Sequence, residues 1–418
     1  MAVVDRPAVL TIPGSHAGRD RKHTSPLFQE QFMIRARKHG RYAASAAVLA
    51  LAAASASACG APGASSSSGG SGSGPIKIAV VDAQSGQSSS LGQWEYDGVK
   101  LAVRQANAAG GVDGRKIVLT LFDDQGDPTV TTDIAHKVAS GGYTAVFGAA
   151  ESADSIAMAP ILERAKIPAI TSGQSPALAA LHDPYEFLNT PTSVTYDSTL
   201  ANYLVKTRGL RSIAMITNND AYGMGEHDAF KADLASSGIK PLADEVVTPD
   251  ATDFSAALTT IRQKHPQVLF IGAEEVESGL IAKQARALGI KAIFAGGAPM
   301  GTPLFAGTAG ADNVEGSIVS SAYLSNSLNA RTRAFATAYF AAYGQAPELH
   351  GAKAYDGAQI VIRALRNTHA AGGLKLASAI RAVHYPGLLG NFVFNADGVG
   401  LFTTHIGIIK NGQVVPAP

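Results

Sequence analysis

Residues 76–81 read IKIAVV, and residues 91–109 read LGQWEYDGVKLAVRQANAA. The first stretch is short, apolar and rich in β-branched residues, which predicts a buried strand. In the second stretch, apolar residues recur at helical spacing from Trp94 to Ala106, which predicts an amphipathic helix. The two stretches therefore form one strand–helix unit, joined by a loop at residues 82–90.

The same alternation continues along the chain in two series, separated near Pro191. The predicted strands are 117–122, 145–147, 169–171, 212–217, 245–247, 268–271 and 292–295, and the predicted helices are 130–139, 155–165, 226–236, 254–263 and 279–288. Units of this kind form parallel sheets with right-handed crossovers. The sequence therefore predicts an α/β protein with two doubly wound, Rossmann-like domains, which suits its 418 residues.

In doubly wound sheets, ligands bind beyond the carboxyl ends of the strands. The loops expected to bind a ligand are therefore those at residues 85–90, 149–154, 172–175, 218–223, 273–277 and 296–299.

Composition excludes several classes of function. The net charge is +1, so we expect no nucleic-acid partner. Cys59 is the only cysteine, which excludes an intrachain disulfide. No GxSxG elbow, P-loop or GxGxxG motif after the first strand is present, so we predict a binding protein without a cofactor rather than an enzyme. Asp123, Asp124 and Asp127 follow a strand with Gly and Pro, which favours turn and cap roles over a metal site.

Residues 1–58 are predicted to be an upstream extension followed by a signal peptide. A basic stretch begins at Met33 and is followed by an apolar run from Tyr42 to Ala58. This run is too short, and its side chains are too small, for a membrane span. The polar residues before Met33 serve no purpose ahead of a signal, so we expect translation to begin at Met33.

Residues 56–59 read Ala-Ser-Ala-Cys and resemble a bacterial lipobox, whose cysteine is lipidated and becomes the mature N-terminus. An ordinary signal-peptidase site before Cys59 is the alternative. The Gly- and Ser-rich residues 59–74 are expected to form a flexible tether. The predicted location is therefore extracytoplasmic, anchored to the outer face of the cell membrane by lipidated Cys59.

Several runs in the folded part resemble one known family, the leucine/isoleucine/valine-binding proteins, which are type I periplasmic solute-binding proteins of ABC importers. These runs are 76–80 (IKIAV), 107–115 (NAAGGVDGR), 123–128 (DDQGDP), 221–223 (AYG), 253–255 (DFS), 284–286 (QAR) and 354–358 (AYDGA). The resemblance is collinear from about Pro75 to the C-terminus.

This resemblance implies two lobes joined by three crossover segments near Thr190, Ala322 and Gly390. Lobe 1 would comprise residues 75–190 and 322–389, with helices from Arg331 and Lys353. Lobe 2 would comprise residues 191–321 and 390–418, including a final strand pair at 391–394 and 402–409.

The resemblance also implies ligand contacts. Ser152 falls at the position that holds a ligand carboxylate, and Gly173, Gln174 and Ser175 fall in the loop that completes the carboxylate and ammonium contacts. Tyr222 corresponds to an aromatic wall of lobe 2.

Three positions depart from the family pattern. Glu274 stands where the family has a tyrosine, Ala298 where it has the glutamate that pairs with the ligand ammonium, and Leu91 where it has an aromatic residue beside the side-chain pocket. Either Glu274 takes over as the cation partner, or the ligand has no ammonium there. Glu274, Glu275 and Glu277 could alternatively form a solvated cluster.

The predicted function is capture of an amino acid or related small polar or organic solute by hinge closure, for delivery to an ABC permease complex. We expect a monomer. A surface-tethered sensor for a membrane receptor is the alternative, and a lipoprotein hydrolase lacks an activated nucleophile.

Overall fold

The computed structural model describes residues 74–323 and 330–418. The predicted signal peptide, Cys59 and nearly all of the predicted tether lie outside these residues. Within the described ranges, no helix combines the length and apolar character needed to cross a membrane.

The described residues form strands alternating with helices, and the predicted α/β architecture is confirmed. The strands are β1 (Ile76–Val81), β2 (Ile117–Phe122), β3 (Ala145–Gly148), β4 (Ala169–Thr171), β5 (Glu186–Leu188), β6 (Ile213–Asn218), β7 (Asp244–Val247), β8 (Val268–Gly272), β9 (Ile293–Gly296), β10 (Ile318–Ser321), β11 (Tyr385–Pro386), β12 (Asn391–Phe394), β13 (Gly400–Leu401), β14 (His405–Lys410) and β15 (Gln413–Pro416). The α-helices are α1 (Ser89–Ala108), α2 (Pro128–Ser140), α3 (Ser152–Ala165), α4 (Pro176–Ala179), α5 (Ser193–Asn202), α6 (Ala221–Ser236), α7 (Ser255–Gln263), α8 (Glu275–Ala287), α9 (Pro303–Ala309), α10 (Ala311–Val314), α11 (Ala330–Tyr343), α12 (Leu349–Thr368) and α13 (Gly373–Arg381). A π-helical turn (Tyr203–Thr207) extends α5, and a 3₁₀ turn (Ala298–Gly301) follows β9.

The first lobe is built on a parallel five-stranded sheet in the order β2-β1-β3-β4-β5. Side chains of β1 alternate between two apolar layers. Ile78 packs with α1, α12 and α13 on one face, whereas Ala79 packs with α2 and α3 on the other. Helices therefore cover both faces, which explains why the central strands read as apolar runs.

The second lobe is built on a seven-stranded sheet in the order β15-β14-β10-β9-β8-β6-β7. Strands β6 to β10 are parallel, and β14 and β15 add an antiparallel edge. Ile216 packs against α7, α8 and α9, and Met215 packs against α5 and α6 on the opposite face. This lobe is also doubly wound, so the carboxyl ends of the parallel strands in both lobes lead into the loops predicted to bind a ligand.

The last part of the chain differs from the prediction. Strand β12 was expected in lobe 2, but it pairs with β11 and β13 in a separate small sheet. Its Phe392 packs in the first-lobe core, Phe394 meets Phe187 edge-on, and Val399 bridges Leu188 at the sheet edge. Of the predicted final strand pair, only the second strand, β14, joins the second sheet. The third crossover therefore follows β13 rather than Gly390, because the aromatic side chains of β12 are buried against lobe 1.

Helices α6 and α8 begin at least one helical turn before the positions that the apolar periodicity predicted. Helix α6 begins at Ala221 because the Asp220 carboxylate accepts a hydrogen bond from Gly223 N over 2.7 Å. Helix α8 begins at Glu275, although its first apolar periodic positions come later. Polar residues at the carboxyl edge of the second sheet therefore belong to the first turns of helices rather than to open loops.

Candidate functional site

A cavity of about 260 Å³ lies between the lobes, beyond the carboxyl ends of the strands. Residues of both lobes line it: Gln87, Ser88, Leu91, Gln125, Gly126, Pro128, Glu151 and Ala153 from the first lobe, and Asp220, Pro249, Asp250, Glu274, Glu275, Val276, Glu277 and Leu304 from the second. An enclosed space shared by two lobes can hold a small molecule and release it when the lobes separate.

Four of the six predicted loops supply lining residues. The segments after β2 and β7 also contribute, through residues 125–128 and 249–250, which the sequence analysis did not include. The loops at 172–175 and 296–299 do not line this cavity. The segment at 125–128 could have been identified from the sequence, because Gly126 and Pro128 follow the end of a predicted strand.

Ser152 and the loop at residues 172–175 form a buried polar junction beside the cavity. Ser152 Oγ accepts hydrogen bonds from Gln174 N and Ser175 N, each over 3.1 Å. A Cβ on Gly173 would lie 2.6 Å from Leu178 Cδ1 and 3.1 Å from Ser152 Cα, so only glycine fits there. The structure therefore brings these four predicted residues together, immediately next to the cavity-lining Glu151 and Ala153.

Each residue of this loop also has a structural partner. Ser175 caps α4 by accepting from Ala177 N over 3.3 Å. The Gln174 carbonyl accepts from Ser193 N over 2.8 Å, which ties the first lobe to the start of α5. Gln174 Oε1 is buried and has no hydrogen-bond partner among the described residues.

Leu91 and Glu274 line the cavity, whereas Tyr222 and Ala298 lie behind its wall. Ala298 packs in an apolar cluster with Tyr196 and Tyr323. The Tyr222 hydroxyl is buried without a hydrogen-bond partner in the described part of the chain.

Glu226 is a functional candidate that sequence reasoning missed. It is 0% exposed and lies one helical turn after Tyr222 on α6. A Cβ on Gly297, next to Ala298, would stand 2.8 Å from Glu226 Oε2 and 3.1 Å from the Tyr222 hydroxyl. Burial raises the pKa of Glu226 to about 7. The sequence could have pointed to Glu226, because it lies four residues after the aromatic candidate Tyr222 and residues at this spacing share a helix face.

The cavity wall is acidic. Burial raises the pKa of Glu277 to about 7 and raises the pKa values of Glu151 and Glu274 well above their ordinary range. Neighbouring carboxylates add to the effect, since Asp154 acts on Glu151 and Glu275 acts on Glu274. Glu275 and Glu277 are each only 4% exposed, so the interpretation of residues 274–277 as a solvated cluster is wrong.

Two buried basic residues also approach the inter-lobe region, and both were missed. Lys353 is 1% exposed, and its Nζ donates to the Ser172 carbonyl over 3.3 Å. Burial lowers its pKa, and the nearby Glu95 opposes that change. His350 lies on the same helix and stacks on Trp94, with ring centroids 6.3 Å apart and planes inclined by 7°.

Asp123 and Asp127 hold the turn between β2 and α2, as predicted. Asp127 accepts from Thr129 N over 2.7 Å and caps α2, while Asp123 accepts from Gln84 N over 2.8 Å. Asp124 is buried and accepts from Gly126 N over 3.1 Å, which shapes the turn that reaches the cavity.

Comparison with known proteins places this geometry in one family. A family model described as periplasmic binding protein matches residues 75–412. The Leu/Ile/Val-binding protein homolog 3 of Brucella melitensis is 29% identical over 223 residues, which cover 53% of this chain and 61% of the relative. The Leu/Ile/Val-binding protein of Escherichia coli K12 is 30% identical over 224 residues, which cover 53% of this chain and 60% of the relative. The chain thus matches these curated relatives over less than two thirds of their length.

Solved structures match more completely. The branched-chain amino acid transporter substrate binding protein LivJ from Streptococcus pneumoniae, in complex with isoleucine, superposes with a TM-score of 0.75 at 26% identity, covering 82% of this chain and 100% of that one. A solute binding protein from R. palustris in complex with benzoate has a TM-score of 0.75 at 21% identity, covering 82% of this chain and 95% of that one. It shares the fold. The chain therefore belongs to the periplasmic binding protein family, which is a family of binding proteins and not of enzymes.

Proposed function

We propose that the protein is the solute-binding component of an ABC importer and captures an amino acid or related small polar or organic solute by hinge closure. The observation that carries this proposal is the inter-lobe cavity, whose wall is shared between two doubly wound lobes. A solute held there contacts both lobes only when they are together, so its binding energy favours the closed state.

Contacts between the lobes support this mechanism. Gln87 Nε2 donates to Asp250 Oδ1 over 3.0 Å across the mouth of the cavity. Such contacts are lost when the lobes separate, and a solute in the cavity adds to them. In the proposed sequence of events, the solute first meets the Ser152 junction and Leu91 of lobe 1. Closure then brings Glu274 of lobe 2 to the solute, with Tyr222 behind Glu274.

The relatives support the choice of solute class and partner. The pneumococcal protein is named as a transporter substrate binding protein with isoleucine bound, and the curated relatives are named for leucine, isoleucine and valine. On the basis of these names, we propose that the protein delivers an amino acid or related solute to an ABC permease complex and acts as a monomer.

The proposal includes attachment to the outer face of the cell membrane through lipidated Cys59. Its support is the sequence around the single cysteine, at the end of an apolar run and before a Gly- and Ser-rich stretch. Metabolic labelling with a palmitate analogue tests it. We expect label in the wild type and none in Cys59→Ala, which should be released from the membrane, and unlabelled wild-type protein would refute anchoring.

Solute capture is tested by calorimetry of the purified protein against the amino acids and a panel of small organic acids, with small-angle scattering of the same samples. We expect one compound to bind in the micromolar range or tighter and to reduce the radius of gyration. Binding without compaction would contradict hinge closure, and no binding across the panel would contradict solute capture.

A further inference from the structure

The inter-lobe cavity has six acidic side chains in its wall and no Lys, Arg or His among the described residues that line it. The acidic side chains are Glu151 from the first lobe and Asp220, Asp250, Glu274, Glu275 and Glu277 from the second. Carboxylates that face a shared, poorly hydrated space oppose one another unless a positive charge lies between them.

Four of these six carboxylates have hydrogen-bond donors within the protein. Glu277 accepts from Asn218 Nδ2 over 2.7 Å and from Asp250 N, and Asp220 accepts from Gly223 N over 2.7 Å. Asp250 accepts from Gln87, and Glu151 accepts from the Ser88 hydroxyl. These contacts leave the two carboxylates at the start of α8 to be explained.

Glu274 and Glu275 have unused acceptor capacity at the cavity. No described residue donates a hydrogen bond to the Glu274 carboxylate. Glu275 is 4% exposed, and its Oε1 is buried without a hydrogen-bond partner among the described residues. His350 is the basic side chain that contacts that atom, but its Nε2 is 3.6 Å away and its Nδ1 already lies 2.9 Å from Glu348. A buried acceptor facing a cavity is a direct indication of a donor in the ligand.

The opposition between the lobes is specific to the closed arrangement. The pKa of Glu274 is raised first by burial and then by carboxylates that include Glu151, which belongs to the other lobe. Closing an empty cavity therefore brings carboxylates together that either repel one another or take up protons. A cationic group between the two lobes reverses the sign of this interaction and makes closure favourable.

We propose that the captured solute is an organic cation whose ammonium or guanidinium group lies among Glu151, Glu274 and Glu275. This inference rests on the proposed function and narrows its solute class. Leu91, Val276 and Leu304 line the same space and provide apolar contacts for a methylene stem. An organic cation fits better than a metal ion, because no group of three or more His, Cys, Asp or Glu side chains in the described part of the chain is arranged as metal ligands.

The test compares lysine with norleucine by calorimetry, since the two differ only in the terminal ammonium of the side chain. Arginine, leucine, putrescine and benzoate complete the panel. We expect lysine or arginine to bind at least about tenfold more tightly than norleucine and leucine, with an advantage that shrinks as salt is added. Tightest binding of leucine, norleucine or benzoate would overturn the inference and leave solute capture intact. An absence of binding by every probe would count against both proposals.

Two variants separate the charge effect from folding. In Glu274→Gln and Glu151→Gln, we expect lysine affinity to fall about tenfold or more while norleucine affinity changes less than twofold, because only the cation loses a partner. Glu163→Gln, on the exposed face of α3, is the matched control and should behave as the wild type. Melting curves establish that each variant is folded. Unchanged lysine affinity in both cavity variants would refute the assignment.

Discussion

His350 Nε2 in the first lobe lies 3.6 Å from Glu275 Oε1 in the second lobe, and both side chains are almost entirely buried. The ring is fixed from behind by Glu348, whose carboxylate also accepts from His350 N over 2.8 Å and from Gly351 N over 2.6 Å at the start of α12. A rigidly held ring that meets a carboxylate of the other lobe stabilises the closed arrangement directly.

Replacing His350 with Ala should shift the ligand-free protein towards the open arrangement. The 3.6 Å contact is longer than a hydrogen bond, so its loss should cost about 1 kcal/mol. Small-angle scattering should therefore give a larger radius of gyration for His350→Ala than for the wild type. His369→Ala is the control, because His369 pairs with Asp113 on the surface of the first lobe alone. Equal radii for His350→Ala and the wild type would show that the contact does not influence closure.

Ser152→Ala should destabilise the first lobe as well as weaken solute binding. Its hydroxyl is the acceptor for the buried N–H groups of Gln174 and Ser175, which would lose their partner at a cost of about 1–3 kcal/mol. Urea denaturation measures the change in the free energy of unfolding. Ser140→Ala, on the exposed end of α2, should remain within about 0.5 kcal/mol of the wild type. A loss of affinity without a loss of stability would mean that Ser152 acts on the solute alone.

Lys353→Met should be strongly destabilising, because it leaves Glu95 buried without its main counter-charge. Glu95 is 2% exposed, and Lys353 is the nearby charge that most favours its ionised form. Removal of one partner from such a pair costs about 3–5 kcal/mol. The double variant Lys353→Met/Glu95→Gln should recover most of this loss in thermal denaturation. A double variant less stable than Lys353→Met would show that the two side chains are not coupled in this way.

The stability of the ligand-free protein should fall as pH rises from about 4 to 8. Burial, with help from Asp154, raises the pKa of Asp124 from 3.8 to about 7. The folded state therefore keeps this proton longer than the unfolded state, and the resulting stabilisation is complete below about pH 4 and is lost as pH rises through about 7. Asp124→Asn should flatten this part of the profile of unfolding free energy against pH, measured by urea denaturation, by about 1–4 kcal/mol.

Asp123→Asn provides the opposite comparison. Burial alone would raise the pKa of Asp123, but hydrogen bonds from Gln84 N and the Ser85 hydroxyl outweigh it and lower the pKa. Its contribution is therefore present above about pH 4 and is lost as pH falls. Asp123→Asn should leave the decline between pH 5 and 8 in place. An identical flattening in both variants would contradict the assignment to Asp124.

The sequence predicted the elements that have strong local patterns. Strands β6 and β8 are continuous apolar runs because helices cover both faces of their sheet. Such runs can be recognised from the sequence alone. The short strand β5 was missed, since it has three residues and contains the buried Glu186. Strand β12 was placed in the wrong lobe, because its Phe392 and Phe394 would suit the edge of either core.

The candidate site was predictable only in part. Position after a strand identified Glu274 as a cavity residue, and the resemblance pointed to Leu91, to Ser152 and to the loop beside Ser152. Lys353 and His350 lie in the first turns of a helix far along the chain, so nothing local marked them as neighbours of Glu95 and Glu275. The electrostatic interaction between Glu151 and Glu274 acts across the two lobes, so it is a property of closure rather than of either segment.

The first lobe is discontinuous in the sequence, and this has a consequence for synthesis. Ile78 and Phe147 share one core with Ile360 and Leu365 of α12 and with Phe392 of β12. A nascent chain that has emerged only to residue 323 can fold its second sheet before β14 and β15 arrive, but one face of the first sheet is then covered by α1 alone. The lobe that begins first should therefore mature last, and fragments that stop before α12 should expose apolar surface and be degraded.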